Sequence, residues 1–113
     1  MALVVAAAML VALVLAVATA DVARVLAAAA EAPTAADLAA LAAARELAVP
    51  GDLEPSDVAS AYADRNGAVL VACRCERGSF QAVVQVRVPV GPLLLFPDDR
   101  WVTGIARAVV ELP

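Results

Sequence analysis

The sequence contains no histidine and no lysine, and its only cysteines are Cys73 and Cys75. Without histidine there is no Ser-His or Cys-His nucleophile pair, no imidazole metal ligand and no side chain that changes charge near neutral pH. All eight positive charges are arginines, set against twelve carboxylates for a net charge of −4. They form no cluster, so the concentrated basic surface that holds nucleic-acid phosphates or anionic lipid headgroups is missing. Ser56, Ser60 and Ser79 have no base to activate them. The roughly 93 residues beyond residue 20 can bury a modest core but not an elaborate active-site cavity. These absences predict a protein that is not an enzyme, uses no cofactor and takes no small-molecule substrate.

What the sequence has in excess is apolar residues. They make up 64% of the chain, mostly alanine and valine, against roughly 45–50% in soluble domains. Ala2 to Ala20 carries no charge, and Thr19 is its only polar side chain. A stretch of about 20 such residues spans the roughly 30 Å of bilayer hydrocarbon, so residues 1–20 read as a transmembrane segment. Ala18-Thr19-Ala20 has the small-x-small pattern of a signal-peptidase site. The alternative is therefore a cleaved signal and a secreted, soluble binding protein. Against it, no Lys or Arg precedes the run, which is longer than the usual signal core. A buried soluble helix is the least suitable reading, because so small a chain has little to cover an all-round apolar helix. Only Arg24 lies within the twenty residues after the span, so nothing holds the remainder in the cytoplasm. The expected arrangement is a single pass through the cell membrane with an extracytoplasmic C-terminal part.

Residues 21–48 continue as an Ala-rich helix, kinked or broken near Pro33. Asp21 and Arg24 form an i,i+3 pair, and Thr34 with Asp37 has capping-box spacing from which the helix would restart. Leu38, Leu41 and Arg45 share a stripe in a surface otherwise alanine, which would let another element approach closely. Residues 49–113 form a small α/β head. In it Ser56 is the expected N-cap of a short helix whose apolar stripe is Val58, Ala61 and Tyr62, closed by Asn66-Gly67.

From Gly67 onwards the period becomes two. Val69, Val71, Cys73 and Cys75 alternate in one run, and Phe80, Ala82, Val84, Val86 and Val88 in the next, about a turn at 77–79. A third strand places Val102, Ala106, Ala108, Val110 and Leu112 opposite Thr103, Arg107 and Glu111. The fold class is thus α+β: a long N-terminal helix and a short helix packed on a small antiparallel sheet of about three strands.

Two features stand out as candidate sites. Cys73 and Cys75, two apart on a strand, are either small buried or half-buried thiols or members of a disulfide, with each other under strain or with another chain. No second cysteine pair exists to complete a zinc site. Leu93, Leu94, Leu95 and Phe96, between prolines, are either folded back on the sheet or exposed as a contact for a partner subunit or the membrane surface. Asp98-Asp99 reads as a solvated turn, with no further acids at calcium-ligand spacing.

The order of these parts resembles a family. An apolar span leading into AADLAALAAA (residues 35–44), a short helix ending in Asn66-Gly67, and NGAVLVAC (residues 66–73) are similar to small TadE-like proteins encoded beside helicase and secretion genes in high-GC Gram-positive bacteria. The resemblance implies a pilin-like shape and a structural role in a Tad-type pilus or secretion apparatus, with other subunits as partners through the N-terminal helix. Such proteins carry a processing glycine and a nearby glutamate at the head of the span, and residues 1–20 contain neither. Relatives of this kind often pair the strand cysteine with one in the short helix. Residues 56–66 have none, so Cys75 or another chain would take that part.

Overall fold

A computed structural model describes residues 1–49, 51–95 and 100–111. Alanine favours helix and Leu and Val interrupt nothing, so the chain opens with a single helix, α1, at Ala2–Ala48. At about 1.5 Å per residue it accounts for nearly all of the molecule's length, which is 75 Å against 24 and 16 Å in the other directions. Four further elements pack along its second half. Helix α2 (Pro55–Arg65) lies beside it, and strands β1 (Val69–Arg74), β2 (Gln81–Pro89) and β3 (Trp101–Val109) form an antiparallel sheet in the order β1-β2-β3. The architecture is α+β, with both helices on one face of the sheet.

The expected break near Pro33 does not occur: α1 runs unbroken through it. Proline removes the bond to the carbonyl four residues back, here that of Ala29, and both Ala29 and Pro33 face solvent. Water can satisfy that carbonyl, so the helix tolerates the loss. Thr34 is not a cap either, since its hydroxyl donates back to the Ala30 carbonyl at 3.4 Å within the helix. Leu38 and Leu41 point outwards. The buried face is alanine instead, at Ala28, Ala32, Ala35, Ala36, Ala39, Ala40 and Ala43. Small side chains win because the opposing surface is already filled by Val84, Val86 and Val88 of β2. Against β3 the approach is closer still. A methyl group added to Gly104 would lie 2.6 Å from the carbonyl carbon of Ala32 and 3.1 Å from its Cβ.

The short helix starts two residues earlier than expected, with Glu54 and not Ser56 at its N-cap. Pro55 occupies its first turn after Glu54, because a proline there gives up only an N–H that has no partner in the helix. Pro55, Ala59 and Ala63 are its buried face, with Val58 and Tyr62 half-buried beside them and Ala61 exposed. Its end is a Schellman turn: Ala68 N–H donates to Ala63 O at 2.9 Å and Gly67 N–H to Asp64 O at 3.2 Å. Gly67 has φ 72°, as that turn requires.

In the sheet, Ala82, Val84, Val86 and Val88 face inwards as the alternation predicts, and so do Ala106 and Ala108. Phe80 lies outside β2 and is exposed, its carbonyl accepting from Val110 N–H. Leu112 is outside the described residues. In β1 the expected face is wrong. Leu70 pairs with Val86 and Ala72 with Gln85, so Val71 is an extra residue in a bulge. A bulge reverses the parity of the strand residues beyond it. Leu70 and Cys73 therefore turn towards the core, while Val69 and Val71 are exposed.

Candidate functional site

The chain between β2 and β3 leaves the sheet at Val90, whose N–H donates to Arg100 O at 3.0 Å. Gly91, with φ 85°, turns it towards the helix, and it meets α1 at Asp21. Asp21 is the charged residue buried in the core among the described residues, 5% exposed. One carboxylate oxygen accepts the N–H of Leu94 and the other the N–H of Leu95, each at 2.8 Å. One turn on, the Arg24 guanidinium donates to the Pro92 carbonyl. Three backbone groups of a loop without regular structure are thereby satisfied from the helix, which fixes the loop's position against residues 21–24.

Of the four predicted contact residues, the structure separates two roles. Leu93 is 6% exposed and completes the core beneath the helix, whereas Leu94 and Leu95 are 64% and 47% exposed. Phe96 lies outside the described residues, as do Asp98 and Asp99. Asp21 and Arg24, read from the sequence as a local helical pair, instead bind a loop some seventy residues away. The one available signal was a carboxylate set directly against an apolar run, opposite a loop whose amides needed an acceptor. Nothing local specifies that pairing.

Cys73 and Cys75 are joined to each other, with Cα atoms 5.4 Å apart, within the usual range for a disulfide. Only Cys73 belongs to β1. The strand ends at Arg74, and the departing chain lets the two sulfurs meet. The bond closes the edge of the core, with Cys75 buried and Cys73 half-buried. Beyond it, Arg77 donates to the carbonyls of Gly51 at 2.9 Å and Leu53 at 2.6 Å, tying the β1–β2 turn to the linker after α1. Ser56 and Ser60 are exposed, and Ser79 bonds locally to the backbone of Gln81.

One open groove of about 470 Å³ runs between α1 and the end of β3. Leu41 and Val110 supply apolar wall, and Asp37, Arg45, Arg107 and Glu111 line it with both signs of charge. Among the described residues no group of three or more His, Cys, Asp or Glu side chains is placed to hold a metal ion.

Beyond the head, residues 1–16 of the chain are exposed. Helix α1 contains an 18-residue window of mean hydropathy 2.8, none of it buried. That is long and apolar enough for a membrane span or a signal sequence. No protein-family model matches the chain, and no curated protein or solved structure matches it either.

Proposed function

We propose that the protein is a membrane-anchored, pilin-like structural component of a Tad-type pilus or secretion apparatus, with its head outside the cytoplasm. The observation that carries this reading is the division of one continuous helix. Residues 2–20 are apolar and largely exposed, while residues 21–48 form the spine of an α/β head. Leaving so much apolar surface in water would be costly, and a bilayer removes it at about 25 cal/mol per Å². The order of the sequence motifs adds the resemblance to TadE-like proteins. The work of such a component is mechanical: the apolar half rests in the bilayer and packs on helices of other subunits, which its many alanines would let approach closely.

One observation favours the rival, a secreted binding protein cleaved after Ala20. The head's first strong contact with the helix is at Asp21, so cleavage there would leave the head's own hydrogen bonds intact. Intact mass and N-terminal sequence of the native protein, from washed membranes and from medium separately, decide between them. The anchored reading expects residues 2–20 retained in the membrane fraction. A soluble species beginning at Asp21 would refute it.

A further inference from the structure

We infer that the loop bearing Leu94 and Leu95 is a second membrane contact, seated in the headgroup–acyl boundary beside the helix. This rests on the anchored reading. If residues 2–20 cross the bilayer, their length of about 28 Å matches the hydrocarbon thickness of roughly 30 Å. Asp21 then lies at the hydrocarbon edge. Leu94 and Leu95 are bonded to its carboxylate through their own amides, so their exposed side chains are held at that depth by geometry. Val17 and Ala18, one turn before Asp21 on the same side, are half-buried, whereas residues 1–16 are exposed. The head therefore overlaps the last turn of the apolar run, and the apolar surface continues from the helix onto the loop.

One further group agrees with this placement. Trp101 opens β3 at the loop's return and is 44% exposed, with the Arg87 guanidinium 4.3 Å from its ring centroid. Gly104 touches Ala32, eleven residues and about 16 Å along the helix from Asp21. Trp101 is three strand residues back from Gly104, about 10 Å. β3 runs from the loop towards Gly104, so Trp101 lies at the loop end of the head, the end that faces the bilayer, and tryptophan collects at membrane interfaces. The contact is apolar and needs no basic cluster. Its occupant is lipid, because a clamp on the first residue after the span presents the loop to whatever surrounds the span's end.

The test places tryptophan at Leu94 in the full chain, with Trp101→Phe so that the probe is the sole tryptophan, in phosphatidylcholine–phosphatidylglycerol vesicles. A control carries the probe at Leu53, exposed at the far end of α1. The expected result is blue-shifted emission for Leu94→Trp, quenching by lipids brominated near the headgroup end of the chain, and a several-fold smaller iodide quenching constant than at Leu53. Adding Asp21→Ala should loosen the loop and raise iodide access. Iodide access equal to the control, in chains that resist carbonate extraction, would overturn the inference and spare the anchor. Protection from iodide without quenching by brominated lipid would overturn it in favour of a protein covering the loop. Release of the chain by carbonate would sink both readings.

Discussion

Replacing Gly104 with alanine adds one methyl group at the tightest point between helix and sheet. It would lie 2.6 Å from the Ala32 carbonyl carbon and nearer still to the carbonyl oxygen. Ordinary contacts between such atoms are about 3.5–4.0 Å, so the two elements must separate by close to an ångström. The obstructing atoms are helix backbone within a continuous helix and cannot rotate away as a side chain would. Overpacking of this kind costs about 1–3 kcal/mol, and the backbone obstacle puts this case near the upper end. Alanine recovers about 0.4–1 kcal/mol by restricting the unfolded chain. The net loss is about 2 kcal/mol, a factor of about 30 in the folding constant. For a domain of this size it lowers Tm by about 10 °C. Thermal melts of the full chain in detergent, followed by near-UV circular dichroism at the single tryptophan, measure it. Thr103→Ala, exposed next door, should stay within about 0.5 kcal/mol of wild type. If Gly104→Ala is as stable as wild type, the helix–sheet contact is looser than described and the reasoning fails.

Pro33→Ala restores an N–H opposite the exposed Ala29 carbonyl and removes the ring from the helix interior, so stability should rise by about 1–3 kcal/mol in the same melts. A loss of stability would refute this. Reduction of Cys73–Cys75 opens a ring of sequence separation 2. A loop this short contributes only about 1.5 kcal/mol, so a phosphine reductant should lower Tm modestly and leave the far-UV spectrum folded, and unfolding on reduction would contradict this.

How much of the molecule could be read from its sequence depended on whether the deciding interaction was local. Alternation of Ala82, Val84, Val86 and Val88 with Gln81, Gln85 and Arg87 specified the inward face of β2, because a period of two leaves only one choice. The same rule failed in β1, where the bulge at Val71 exchanged the faces and pairing with Val86 and Val84 overrode the pattern. Gly67 closed α2 as its backbone chemistry requires. Thr34 and Pro33 looked like punctuation, yet both sit on the solvent side of α1, where tertiary packing costs them nothing. Leu38 and Leu41 of α1 stay outside for a related reason. Burial is set by what fits a valine-lined surface, and there Ala39 and Ala43 fit where Leu38 and Leu41 do not. The Asp21 clamp was out of reach because its partners lie 73 and 74 residues away.

The alanine seam has a mechanical consequence. A helix that meets its sheet through methyl groups, with one glycine pressed against its backbone, cannot turn about its own axis. Each residue step rotates the helix by about 100°, and a turn of that size would drive Leu38 or Leu41 into space sized for alanine. Twist applied to the head is therefore not absorbed at the seam. It passes as torque along α1 into the apolar half, which must rotate with the head as one rigid shaft.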